Sequence, residues 1–409
     1  IFDAFNQNAK IMLKGILPLQ GAVQHYDWGG HDFIPHLIGV NNASHLPFAE
    51  LWMGAHASAP ALVEEGDTKL ALDRLIAQSP QLMLGEKVIA HFGKQLPFLF
   101  KVLDVRKMLS IQAHPTKKQA EEGFRRENKA GIALTAPHRT YKDANHKPEV
   151  MVALTEFWLL HGFKSLAAIE QTLESVPEFI TLQPWFATQN ITTLYQYLME
   201  MPQNEVDAIL QPLKIRLEQA PPPPKNSADY WALQAFREYA RPDGSCDRGI
   251  FSIYLFNLVR LQAGEGIYQG AGIPHAYLEG VNMELMANSD NVFRGGLTSK
   301  HIDVPELLKS LIFEPIEPQI ITGESLSASE TVYFTPAPDF ELSRIYVDSQ
   351  TTHENEHVYA PDIFIVISGK AIVNQTFTFE KGSIFYVVPG TNYTISAQES
   401  TVLYRATVP

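Results

Sequence analysis

Three short segments, far apart in the chain, carry side chains able to ligate a metal through nitrogen or oxygen. They are Ser110-Ile111-Gln112-Ala113-His114-Pro115, His146-Lys147-Pro148-Glu149 and Pro274-His275-Ala276-Tyr277. Each lies in a stretch that reads as β-strand, where residues two apart share a face. Gln112 therefore looks the same way as His114, Lys147 as Glu149, and His275 as Tyr277. Three such strands would bring two imidazoles, one carboxylate and one amide into a common interior, a four-ligand nitrogen/oxygen metal site. Polar groups buried there are costly unless satisfied, and one ion satisfies all four. The donor set suits zinc and tolerates cobalt, manganese or iron. Because Gln112 is neutral, a bound divalent ion keeps about one positive charge and serves as a Lewis acid for an alkoxide or enediolate.

Charged residues crowd the same segments. Lys101 interrupts the apolar run Leu96 to Leu103, Lys147 shares a face with Glu149, and Arg294 ends the run Ala287 to Arg294. Taken singly, a lysine in a strand snorkels and an arginine in a loop is solvated; only closeness to the metal makes them functional. Glu284 stands alone among Met283, Leu285 and Met286, the pattern expected of a functional acid. His25, His56, His91 and His161 lack comparable neighbours and read as structural or solvated.

The elements that must position these groups are legible in outline. Lys69 to Leu84 and Lys117 to Asn128 have helical spacing, whereas Leu96 to Leu103, Leu109 to His114 and Val150 to Leu160 read as strands. Near residue 165 the pattern turns helical, with Leu194, Tyr197, Leu198 and Met201, then Val206, Ile209, Leu210, Leu213 and Leu217. A stiff Pro221 to Pro224 link follows, then a helix around Tyr230 to Tyr239. Strand patterns resume from Phe251. The rhythm of strand, Gly turn, strand and Pro turn at 261–275 returns at 379–392, as expected of two related small antiparallel barrels. The expected fold is mainly β with an α-helical insertion. The second barrel has no histidine after residue 357 and is expected to bind no transition metal.

Composition narrows the function. At 409 residues, two or three domains are expected, and 45% hydrophobic with 19% charged residues describes a globular protein. No apolar run approaches the roughly 18 residues of a membrane span, and no secretory signal is read in Ile1 to Gln20. Ile1 is not a translation start, and Met12 is a candidate for the natural one. The lone Cys246 excludes an internal disulfide and thiolate zinc sites and fits a reducing compartment. A net charge of −13 argues against nucleic acid as a partner while leaving room for a small phosphorylated one. The expectation is a cytoplasmic monomer with no membrane partner.

These segments together resemble the type I mannose-6-phosphate isomerases of the cupin superfamily. The likeness rests on Tyr26-Asp27-Trp28-Gly29, Glu50 to His56, Leu96 to Leu103, Leu109 to Pro115, Tyr141 to Glu149, Ile273 to Leu278 and Ala287 to Thr298, in the family's order. The resemblance implies two cupin-type jelly-roll β-barrels plus a helical domain. Its boundaries would be 12–164 and 250–325 for the catalytic cupin domain, 165–249 for the helical insertion and 326–409 for the metal-free barrel. It implies one zinc per chain on Gln112, His114, Glu149 and His275, Arg294 as the catalytic arginine, and Lys101, Ser110, Lys147, Tyr277 and Glu284 as substrate contacts. The implied reaction interconverts mannose 6-phosphate and fructose 6-phosphate through an enediol. The base stays open among Glu284, Lys147, His146 and a zinc-bound water. Lys101 with Ser110 are the candidates for the phosphate. The alternative is a noncatalytic double-barrel sugar-binding protein with a structural metal.

Overall fold

The computed structural model describes residues 15–65 and 68–409; Met12 lies outside them. The protein is rich in antiparallel sheet, with a helical region in mid-chain. The longest strand, His275–Ala287, organises an eleven-stranded sheet. Its second half lies between Phe98–Val105 and Glu149–Ala153, with Glu284 opposite Lys101 and Met286 opposite Glu149. Its first half pairs with Ile111–Ala113 and Phe157–Phe163, setting His275 opposite Gln112 and His161. The change of partners occurs at a register shift between Tyr277 and Glu279, beside Gly280. That glycine has φ +129°, and a Cβ there would lie 2.6 Å from the Glu156 carbonyl oxygen, so only glycine lets the strand bend here.

The metal-ligand segments sit at strand ends. Gln112 is inside its strand and His114 one residue beyond it; Glu149 and His275 are the first residues of theirs. The helix Lys117–Lys129 follows at once, started by a reciprocal cap between Thr116 and Gln119. It agrees with the sequence spacing. Lys69 to Leu84 does not: Thr68–Ala71 is a strand and the helix begins at Leu72. The strand's edge pairing with Leu62–Glu65 overrides the helical spacing.

Between Phe163 and Phe256 the chain is helical, with Leu166–Ser175, Ile191–Glu200, Gln203–Gln219 and Ala228–Glu238 among the helices. Ser165, Asn190 and Ser227 cap three of them through their side chains. The apolar stripes of these helices bury Leu194, Leu198, Leu210 and Trp231 against Leu160, Phe163 and Phe256 of the sheet.

A nine-stranded sheet and a four-stranded sheet hold the C-terminal strands. The nine-stranded sheet also recruits Ile16–Gln20, which pairs with Ile384–Val387 on one side and Leu62–Glu65 on the other. Apolar faces of both large sheets meet in one core, including Phe100, Val152 and Met283 from one and Ile363, Tyr386 and Tyr404 from the other.

Candidate metal centre

The register brings His114, Glu149 and His275 together, with one ligand atom from each lying within 4.8 Å of the others. His114 Nε2 is 3.3 Å from Glu149 Oε1, and His275 Nε2 is 3.5 Å from Glu149 Oε2. Each imidazole is oriented by its other nitrogen. His114 Nδ1 is 2.9 Å from the Asn291 carbonyl and His275 Nδ1 is 3.0 Å from the Ile273 carbonyl. A carbonyl only accepts, so Nδ1 of each ring carries a proton and Nε2 is the atom turned to the carboxylate. Burial pushes the His114 imidazole down to about 4, so it is neutral at pH 7. Glu149 is also buried, but Lys147 and His114 outweigh that and hold its carboxyl well below the usual range. The neutral His114 Nε2 thus turns its lone pair toward a carboxylate oxygen at 3.3 Å, and the atom is buried without a hydrogen-bond partner. Such lone pairs repel unless a cation sits among them. Gln112 lines the same cavity of about 90 Å³ as Glu149 and His275, so the residues present fit a four-coordinate nitrogen/oxygen centre.

Around this centre the cavity is charged on all sides. Lys147 Nζ is 3.1 Å from Glu149 Oε1. Lys101 Nζ lies between Glu284 Oε1 at 3.1 Å and Glu50 Oε2 at 3.3 Å, and 5.2 Å above the Trp52 ring. The sheet explains this clamp: Glu284, Lys101 and Trp52 stand side by side on three strands, and Glu50 shares a face with Trp52. Burial alone would lower the Lys101 ammonium, but Glu50 and then Glu284 raise it above its ordinary range. Glu284 is moved up by burial, against the pull of Lys101. Tyr277 also lines the cavity, and burial raises its phenol. Its hydroxyl, like both polar side-chain atoms of Gln269 and Asn282, is buried without a hydrogen-bond partner.

Ser110 and Arg294 stand apart from this cavity. Ser110 is not among its lining residues. Arg294 pairs in register with Gln112 but lines a neighbouring cavity of about 400 Å³ with Arg139, Lys142, Lys300, His301 and Asp303. Burial lowers Arg294; burial and then the nearby guanidinium groups lower Lys142. Asp290, four residues before Arg294, lies 3.4 Å from His56 Nε2. His56 is therefore neither isolated nor solvated. His146 is engaged by Asp339 Oδ2 at 2.9 Å. Sequence reasoning missed Glu50, although it stands alone among Ala49, Leu51 and Met53 just as Glu284 stands among its neighbours. It also missed Lys142 and Lys300, which carry no local pattern.

Residues 16–166 match the family model of the phosphomannose isomerase type I catalytic domain. A mannose-6-phosphate isomerase of Salmonella typhimurium is 37% identical over 94% of this chain and 95% of its own length. The human mannose-6-phosphate isomerase is 32% identical over 96% and 98%. A crystal structure of the Salmonella typhimurium enzyme, bound to fructose 6-phosphate and zinc, superimposes with a TM-score of 0.86 at 33% identity, covering 96% of this chain and 99% of that one. With likeness of this extent in sequence and fold, the chain belongs to the type I phosphomannose isomerase family.

Proposed function

We propose that the protein interconverts mannose 6-phosphate and fructose 6-phosphate, using one zinc ion held by Gln112, His114, Glu149 and His275. The observation that carries this reading is the convergence of ligand atoms from His114, Glu149 and His275 within 4.8 Å of one another, with His114 Nε2 buried and unpartnered. A related mannose 6-phosphate isomerase is zinc-bound, and the Salmonella typhimurium enzyme binds zinc with fructose 6-phosphate, which supports the same choice. Zinc bound there would supply a Lewis acid toward the sugar oxygens.

The protein's own groups then manage protons and charge. In the open-chain aldose, a base removes the proton on C2, the C1 carbonyl becomes an enediol oxygen, and a proton is returned to C1 as O2 becomes the ketone. Glu284 is the best-supported base. It lines the cavity, and burial raises its carboxyl toward the working pH. His146 is held by Asp339, and Lys147 is paired with Glu149. Lys101, fixed by two carboxylates and permanently charged, steadies negative charge developing on the enediol oxygens. The same pairing leaves it little to offer a phosphate. We therefore assign the phosphate to Arg294 with Lys142 and Lys300, cations that share one cavity with a single carboxylate. The register of Arg294 beside Gln112 sets that cavity next to the metal.

We read the architecture as two cupin-type jelly-roll barrels, with the helical insertion at 165–249 and the second barrel from 326. The antiparallel sheets and the mid-chain helices support this. A cytoplasmic, monomeric protein is our further reading, and the single buried cysteine supports its first part, a reducing compartment. No helix among the described residues is long and apolar enough to cross a membrane.

The test is a coupled assay for fructose 6-phosphate made from mannose 6-phosphate, before and after chelation. Turnover that disappears with the metal and returns with zinc is expected. Full turnover by metal-free protein, or sugar-phosphate binding by zinc-loaded protein without product, overturns the proposal.

A further inference from the structure

The C-terminal strands and the helix Pro80–Phe92 enclose a second cavity, of about 530 Å³, which shares no residue with the metal cavity. Its walls are fixed in place. Gly85, at φ +78°, breaks that helix and brings it so close to the Tyr359 carbonyl that a Cβ would lie 2.9 Å from the oxygen. Tyr386 pins the same helix by donating its hydroxyl to the Met83 carbonyl. The cavity is therefore preformed and within the usual size of a small-molecule site.

Arg405 lines it and is only 7% exposed. Its Nη2 reaches Glu330 at 2.8 Å, and Glu341 and Ser343 at 3.3 Å. Its Nε is buried with no partner. Beside it on the cavity wall stand Asp362, 2% exposed and already accepting from the Tyr393 hydroxyl at 3.0 Å, and the more open Glu341. A fixed donor thus lies next to fixed acceptors, with unused capacity on both. At the rim, Tyr359 is 63% exposed and Phe92 adds a second aromatic ring.

Charge decides among ligand classes. An anion meets Glu341 and Asp362, with Glu330 behind Arg405; an organic cation meets Arg405 and the Lys87 ammonium, which lies 4.4 Å above the Tyr359 ring. Neighbouring hydroxyls of a neutral ring both donate and accept, matching a guanidinium between carboxylates, and the C–H face of such a ring suits an aromatic platform. We infer that this cavity is a second, noncatalytic site for a neutral monosaccharide, built from Arg405, Asp362 and Glu341 with Tyr359 at its mouth.

Titration of the zinc-loaded protein with methyl hexopyranosides, by calorimetry and saturation-transfer NMR, tests this in the presence of saturating fructose 6-phosphate. These glycosides have no free carbonyl and cannot be isomerised. One saturable equivalent that fructose 6-phosphate does not displace is expected. Tyr359→Ala, at an exposed position, should weaken it about fivefold, and Glu341→Gln should weaken it with the shape kept; both should retain the isomerase rate. Absence of saturable binding, complete displacement by fructose 6-phosphate, or binding indifferent to both substitutions overturns the inference. So does tighter binding of inorganic phosphate or butylammonium at this site.

Discussion

Two regions of this molecule bury several charges, and they solve the problem differently. In the C-terminal strands Glu330, Glu341 and Asp362 surround Arg405, whose guanidinium forms ion pairs with Glu330 and Glu341 and is held charged, against burial, by all three carboxylates. In the eleven-stranded sheet the imidazoles of His114 and His275 converge on the carboxylate of Glu149. Among the described residues, this is the one group of three histidine, cysteine or acidic side chains arranged to hold a metal. His353, buried in the C-terminal region, belongs to no such group: its Nδ1 meets the Ser329 hydroxyl at 3.1 Å. Buried charge alone does not mark a metal centre. What marks it is the convergence of one ligand atom each from His114, Glu149 and His275 within 4.8 Å of one another.

Removing an acceptor breaks the contrast most severely. His275→Ala should abolish zinc binding and turnover together, read by metal analysis beside the coupled assay; an active, metal-free variant would remove the basis of the mechanism. In the other region the vulnerable member is the donor. Arg405→Met leaves its carboxylates without their cation and should cost about 3–5 kcal/mol of stability. Urea unfolding of the zinc-loaded protein measures this, and zinc per folded chain should stay constant. A loss below about 1 kcal/mol, the scale of an exposed ion pair, would mean the cluster is solvated.

Arg294 tests the boundary between metal and substrate. Arg294→Ala should keep zinc and fold while turnover at subsaturating substrate falls by roughly one to two orders of magnitude, as a charge-assisted contact to the phosphate is lost. Arg294→Lys should recover little, since an ammonium lacks the planar fork. Near-normal turnover in a stable Arg294→Ala protein would exclude the role assigned to it. The mildest change sharpens the argument about charge. Gln112→Glu should retain the metal and slow the reaction roughly tenfold, because a second carboxylate weakens the Lewis acid. An unchanged rate would show that the neutrality of Gln112 is incidental.

The sequence by itself determined the chemistry of the ligands and the faces they occupy. Alternation places Gln112 with His114 and His275 with Tyr277, and the change to helical spacing marks the block between Phe163 and Phe256. These follow from local periodicity, which one strand or helix carries alone. Partnership across strands is another matter. Only the tertiary structure decided that Glu50 closes on Lys101 from one side and Glu284 from the other, through two separate pairings of one strand. It also set Arg294 in a cavity beside the candidate metal centre, gave Asp290 to His56, and carried Ile16–Gln20 to the far sheet. Alternation states which face a side chain occupies but not which strand lies next to it. That choice is made by burial of apolar faces drawn from distant parts of the chain, and the charged neighbours follow from it.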